Sequence, residues 1–351
     1  MAVLRQEATR LRSQQQRSVL VTDGFGYLGR WIVVALLRDG YRVRAAVADP
    51  RWEAEIRAAI ALHASVADRL AVVAADVLCD AGWDRASAGC AFVLHNAVPV
   101  ASGKQRCGEL ARLAQRATRR VLHAADRAGV QRVVMTAPAL AALPPRGALR
   151  RADETCWTDL DALRLDARMQ ARILAEHDAW AFVERSRSRM HLTTLLAGSA
   201  HGPLLGVDSP ASVRLLACLL DGRVRRLPRL GFNVADARDL AELHLRAMLH
   251  PDAANQRFLA AGEFLEMDEI VTLLRARFPQ YAARMPTRAT SALRAFLDRL
   301  FDTGVQRLAP ELCRGRDYDM SKVARVLGWS ARPARDSLID AARSLILAGR
   351  V

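Results

Sequence analysis

Apolar residues in the first half of the chain come in short runs, separated by stretches where they recur every three or four positions. The short runs are "SVLVT" (18–22), "RVRAAV" (42–47), "LAVVAA" (70–75), "AFVL" (91–94) and "QRVVMT" (131–136). They are rich in the β-branched residues that suit strands. The stretches between them, 27–38, 51–63, 81–89 and 107–128, carry the helical period. A helix over 161–186 then leads to a sixth strand, "HLTTLLA" (191–197). This alternation predicts parallel strands joined by right-handed crossovers, with helices on both faces. Beyond Gly198 the rhythm loosens: Gly and Pro punctuate 198–210, and helices are predicted over 210–221, 236–250, 266–278 and 290–303, with a last one after Pro333. The expected architecture is α/β. A polar, basic extension occupies 1–17, a doubly wound parallel sheet 18–197, and a smaller, mainly helical lobe 198–351.

The first strand runs straight into a glycine-rich turn, "VLVTDGFGYLG" (19–29), and then into the helical run "RWIVVALL". Strand, glycine loop and helix together make a cradle in which backbone N–H groups meet a phosphate at a helix N-terminus. The loop has two registers. Gly24, Gly26 and Gly29 satisfy Gly-x-Gly-x-x-Gly, whereas Gly-x-x-Gly-x-x-Gly places its glycines at 23, 26 and 29 and meets Asp23 at the first. Aspartate tolerates the left-handed backbone such a turn needs. Its carboxylate, however, repels a diphosphate by about 1–3 kcal/mol at an effective dielectric near 20. Phe25 crowds the approach, and Arg30 stands where it can offset part of the charge. Asp49, some way past Gly29, suits acceptance of a ribose hydroxyl.

At 351 residues and 51% hydrophobic, the chain has the means to bury a full core, which excludes a disordered protein. No apolar run is long enough to span a bilayer, so no membrane partner is expected. The first 17 residues lack the apolar centre of a secretory signal and read as an extra helix or frayed tail. The net charge of +15 invites a nucleic-acid reading, but the arginines are scattered among Asp and Glu, and the lysines are Lys104 and Lys322 alone. The densest basic cluster, "GRVRRLPR" (222–229), reads as a solvated loop before it reads as a phosphate contact. Nucleic acid is therefore disfavoured. Cys79, Cys90, Cys107, Cys156, Cys218 and Cys313 form neither a C-x-x-C pair nor a metal-ligand rhythm. A reduced, cytoplasmic protein without a metal is the expectation.

Ten stretches in order carry a resemblance: "VLVTDGFGYLG", "YRVRAAVADP", "AADVLCDAGWD", "AFVLHNA", "VLHAADRAGVQRVVMTA", "DETCWTDLD", "ILAEHDAWAF", "GFNVADARDLAELHLRAM", "QRFLAAGE" and "SKVARVLGW". Together they resemble the extended short-chain dehydrogenase/reductases of the NAD-dependent epimerase/dehydratase superfamily, in the dihydroflavonol reductase-like branch. The resemblance runs from about residue 18 to 335. It implies a Rossmann-type fold, NAD(P)(H), and reduction of a ketone or aldehyde by hydride transfer. It favours the register with Asp23 at the first glycine. It also carries the cofactor-binding positions onto Gly24, Gly26, Tyr27, Leu28, Gly29, Asp49, Asp76, Val77, Ala97 and Arg172. NADP-using relatives carry an arginine where this chain has Ala48, and the remaining residues do not choose between NAD and NADP.

The family's proton donor is a tyrosine; a lysine four residues on binds the ribose and lowers the tyrosine's pKa; a serine or threonine at the fifth strand's end binds the carbonyl. Anchoring its Tyr-x-x-Ser-Lys-x-x-Ala-Glu helix on Ala175-Glu176 puts Arg168 at the tyrosine, Ala171 at the serine and Arg172 at the lysine. The strand's Thr-Ser-Ser reads Thr136-Ala137-Pro138, and the pair after the sixth strand reads Leu196-Ala197. Arginine holds its proton and cannot replace the phenol. Ala137, Pro138, Arg168 and Arg172 are thus vacated positions, and no catalytic set remains.

Arg164, Arg168 and Arg172 form one helical stripe, either a solvated face or the lining of a cleft that favours an anionic ligand. "YDMSK" (318–322) matches Tyr-x-x-Ser-Lys to the letter, but it precedes "VARVLGW", where the family has a structural element. His95 is read as structural, and His191 and His201 flank the sixth strand without a visible partner. Asp236, Arg238 and Asp239 are read as an ion-pair network between lobes.

Three functions compete. The preferred one is a lapsed reductase retaining weakened NAD, NADP or anionic-ligand binding as a sensor or partner subunit. The second is an active NAD(P)-dependent aldehyde or ketone reductase with a relocated acid/base. The third is an interaction protein using the fold alone. A homodimer or a partner protein is expected from the relatives.

Overall fold

Among the described residues, ten strands build two sheets: β1 (Ser18–Thr22), β2 (Arg42–Val47), β3 (Leu70–Ala74), β4 (Cys90–His95), β5 (Arg132–Pro138), β6 (His191–Ala197), β7 (Ser199–His201), β8 (Gly231–Asp236), β9 (Gln256–Ala260) and β10 (Glu263–Glu266). The computed structural model describes residues 18–287 and 317–351, apart from 98, 100–106, 146–147, 149–150, 162–164, 166, 187, 207–209 and 228–230. The extension 1–17, Lys104, Arg164, Asp166, Cys313, the helix expected over 290–303 and the 228–229 end of the basic loop lie outside the described residues.

The main sheet has the order β3-β2-β1-β4-β5-β6-β9 and is parallel throughout. Val19, Leu20 and Val21 are fully buried, as a central strand covered on both faces requires. The chain direction of winding reverses between β1 and β4, and a crevice opens there at the carboxyl ends of the strands. This is a Rossmann-type doubly wound sheet. The flanking helices are α1 (Tyr27–Arg38), α2 (Glu53–Ala61), α3 (Trp83–Ser87), α4 (Cys107–Arg127), α5 (Ala167–Arg185), α6 (Ala211–Leu220), α7 (Ala237–Leu249), α8 (Met267–Arg277), α9 (Ser321–Leu327) and α10 (Ala334–Leu347). α1 packs against α7, and α4 against α5. None of the described helices is long and apolar enough to cross a membrane.

Two features differ from the pattern-based expectation. First, Asp161 and Leu165, inside the helix expected over 161–186, are not helical, and α5 is described over Ala167–Arg185. In the segment before it, Glu154, Cys156 and Thr158 are buried, and the Arg257 guanidinium donates to Glu154 O at 2.8 Å and Cys156 O at 2.7 Å.

Second, residues 198–351 are not helices alone. β9 pairs with β6 and completes the main sheet, so that sheet draws on both sides of residue 197. β8 lies between β7 (parallel) and β10 (antiparallel) in a separate three-stranded sheet. These strands run to six residues at most and leave little periodicity to read.

The acidic–basic network forms, but its ion pairs among the described residues all lie within 198–351, so it does not join the two expected lobes. Asp236 accepts from the Arg238 backbone N–H at the start of α7 (2.8 Å), and the Arg238 guanidinium bridges Asp236 to Asp340 on α10. Arg332 closes on Asp239 at 2.6 Å.

Candidate functional site

The crevice forms a cleft of 210 Å³ at the carboxyl ends of β1, β4, β5 and β6. Its polar lining includes Asp23, Tyr27, Asn96, Thr136, Arg172 and Tyr318; Pro138, Leu140, Met169 and Phe232 supply apolar wall.

Asp23 has a φ of +48°, the left-handed conformation that favours glycine. The position needing that freedom is therefore 23, and the loop follows the 23/26/29 register. Gly26 N donates to Asp23 O at 2.9 Å, and Arg30 N to Gly26 O at 2.9 Å, opening α1. The Asp23 side chain lies against Gly26: a Cβ there would come within 2.6 Å of the carboxyl carbon and 2.9 Å of Oδ1. Arg30 is buried beneath the loop, its Nε donating to Phe25 O and its Nη1 to Leu205 O. Tyr27 donates its hydroxyl to Gly202 O at 2.9 Å, and burial raises its pKa. This phenol is a strut between α1 and the chain after β7.

The other positions carried over as cofactor-binding are spread out. Leu28 lines the cleft, and Gly24 and Gly29 pack tightly in the loop. Ala97 N donates to Thr22 Oγ1 at 3.0 Å and lines a smaller inner pocket with His95 and Arg172. Asp49 lies beyond β2, outside the cleft lining. Its carboxylate accepts from the Arg51 backbone at 3.0 Å and the Arg51 Nε at 2.6 Å, which holds it below the usual carboxylate range. Asp76 and Val77 follow β3, also outside that lining; Asp76 accepts from Leu78 N, and Val77 O from Arg120.

The positions expected to be vacated lie in different places. Ala137 is buried and Pro138 lines the cleft. Thr136 keeps a hydroxyl there, 2.8 Å from His244 Nε2. His244 Nδ1 lies 2.7 Å from Leu240 O, so Nδ1 carries the proton and Nε2 accepts from Thr136. Burial holds His244 neutral, with its pKa lowered to about 4. The Thr136 proton is thus committed away from any carbonyl substrate.

Arg172 lines both the cleft and the inner pocket, and its buried Nε has no hydrogen-bond partner among the described residues. Arg168 is exposed and outside the cleft lining, while Met169 occupies the wall. The expected stripe therefore divides. Arg168 stands in the first turn of α5, where the helix end meets solvent, and Arg172 one turn deeper reaches the cleft.

His95 is buried and hydrogen-bonded through Nδ1, and its Nε2 has no partner among the described residues. Thr22 Oγ1 accepts from Asn96 N and Ala97 N, so its own proton goes to His95 Nδ1 at 2.9 Å. Burial lowers the His95 pKa to about 4. The Asn96 Oδ1 in the cleft lining is buried without a partner among the described residues.

Tyr318 is the surprise. It precedes α9, so Lys322 is not on a shared helical face with it. Lys322 instead donates to Gln256 Oε1 at 2.8 Å and Arg257 O at 2.9 Å. Tyr318 nevertheless enters the cleft. A bridge between Ala152 and Tyr318 places it, with Asp319 N donating to Ala152 O at 2.8 Å. No local pattern announces a pairing across so many residues.

The fold and cleft define an α/β protein of Rossmann type. Residues 20–177 match the model of the 3-beta hydroxysteroid dehydrogenase/isomerase family. Cinnamoyl-CoA reductase 1 of Oryza sativa subsp. japonica is 32% identical over 286 residues, 79% of this chain and 80% of that protein. Dihydroflavonol 4-reductase of Zea mays is 26% identical over 277 residues, 77% of this chain and 76% of that one. Among solved structures, yeast methylglyoxal/isovaleraldehyde reductase Gre2 complexed with NADPH superposes with a TM-score of 0.77 at 20% identity, covering 95% of this chain and all (100%) of that one. Vestitone reductase from alfalfa gives 0.74 at 20% identity, over 96% and 100% of the two chains. The chain belongs to the extended short-chain dehydrogenase/reductase family, in its dihydroflavonol reductase-like branch.

Proposed function

We propose that this chain is a family member whose hydride-transfer machinery has lapsed, and whose cleft holds a nucleotide or a small anionic ligand as a sensor or partner subunit. One observation carries the reading. Arg172 reaches the cleft where relatives place the lysine, while the helix that should present the phenol offers Met169 to the cleft and Arg168 to solvent. The Thr136 proton is held by His244, and neither Ala137 nor Pro138 has a hydroxyl. No donor from the family's set stands ready to protonate an alkoxide.

The relatives' cofactor is the first ligand to test against these residues. The Arg172 side suits it: an N–H without a partner and the Asn96 amide oxygen are an orphaned donor and acceptor that a ribose diol would satisfy. The glycine loop suits it poorly, because Asp23 brings a carboxylate there. NAD(P) binding is accordingly read as weakened, without a choice between NAD and NADP.

Thermal shift and calorimetry with NADH and NADPH, combined with absorbance at 340 nm over a panel of aldehydes and ketones, test this. Binding without consumption of reduced cofactor is expected; clear turnover sinks the reading.

Tyr318 favours a second reading, an active reductase with a relocated acid. It is a phenol in the cleft wall, delivered from the C-terminal segment. Under that reading a demonstrated carbonyl reduction falls at least about 100-fold in Tyr318→Phe, the scale of general acid catalysis.

A further inference from the structure

The glycine loop of a dinucleotide site works because nothing but glycine hydrogen separates a diphosphate from the N–H groups opening the first helix. In this chain a side chain stands at that place. Asp23 takes the left-handed conformation of the missing glycine, its carboxyl group packs onto Gly26, and it lines the cleft. α1 is a twelve-residue helix with no acidic residue in its first turn and no side-chain cap on Gly26. The positive end of its dipole therefore meets the Asp23 charge first. The same cleft is lined by the opposite charge, Arg172, with a buried N–H that no described residue accepts. The cleft's 210 Å³ is smaller than the ~300–1,000 Å³ usual for larger small-molecule ligands.

We propose that Asp23 is a resident anion in the diphosphate seat, which turns the cleft away from dinucleotides and toward a smaller carboxylate- or phosphate-bearing ligand anchored at Arg172. This rests on the reading of the cleft as a ligand site, and it names what that site selects against. The device is electrostatic and steric together: the carboxylate repels a diphosphate and also fills the surface on which it would rest.

The test uses the full chain and two variants, Asp23→Gly and Asp23→Asn. Glycine adopts a φ of +48° without strain and asparagine tolerates it, so both preserve the turn. Each is titrated calorimetrically with ADP, a probe carrying the diphosphate but no nicotinamide, and folding is checked by circular dichroism. Asp23→Gly is expected to bind ADP at least about 10-fold more tightly than wild type. Asp23→Asn recovers the part due to charge, and that part shrinks at high salt. ADP affinities within about two-fold across all three proteins, or no measurable binding by any, overturn the proposal. Turnover of NADPH by the wild-type chain would overturn the proposed function instead, and would leave the ADP comparison readable.

Discussion

Glu176 and Arg257 form a two-point ion pair inside the protein, with Arg257 Nε 2.9 Å from Oε1 and Nη2 3.0 Å from Oε2. Both are buried, and the pair fastens α5 to β9. The Trp157 ring lies 3.7 Å from the guanidinium carbon, and Thr194 donates to the same carboxylate. Removing one partner strands a buried charge. Arg257→Ala is expected to cost about 3–5 kcal/mol in urea unfolding. A loss under 1 kcal/mol would show that water replaces the arginine there.

Tyr27 should behave oppositely to a catalytic tyrosine. Its hydroxyl serves the Gly202 carbonyl. Tyr27→Phe leaves that acceptor unpaired and is expected to lower stability by about 1–3 kcal/mol without weakening ligand binding. Thermal shift with and without ligand separates the two effects; a selective loss of binding contradicts the strut role.

Stability should fall on mild acidification. Burial lowers His95 and His244 to about 4 and His201 to about 3, from an ordinary 6.5. Above that ordinary value the three rings are neutral in folded and unfolded chains alike. As the pH drops below it, the unfolded chain takes up protons that the folded one refuses, and stability declines until the folded values are reached. Each histidine is expected to cost about 2 kcal/mol between pH 7 and pH 5. Urea midpoints that stay level over this range would show that these rings are not held neutral.

Arg172 should report the ligand's charge. With a panel of small carboxylates and phosphates, Arg172→Ala is expected to weaken the best binder by about 10- to 100-fold, the worth of a charged hydrogen bond. Arg172→Lys keeps the charge but loses the planar fork, so an intermediate value is expected. Equal affinity in all three would remove Arg172 from the site.

Much of the fold was legible because strand and helix periods are local. β1, β2, β6 and α1 fall on their expected residues, since apolar runs and a glycine loop need no distant partner to be recognised. The loop's register was open in the sequence and closed by one backbone angle, the positive φ of Asp23.

Tertiary structure decided which side chains meet. The sequence placed Arg164, Arg168 and Arg172 on one stripe, yet only the packing of α5 sends Arg172 into the cleft while Arg168 faces water. It set Tyr318 beside Lys322, yet the bridge to Ala152 carries the phenol to the cleft and the lysine goes to Gln256 and the Arg257 carbonyl. It closed the parallel sheet at residue 197, yet β9, from the mainly helical 198–351 segment, finishes that sheet beside β6. Local propensity depends on neighbours a few residues away; these outcomes depend on hydrogen bonds and burial between segments far apart in the chain, which the order of residues does not display.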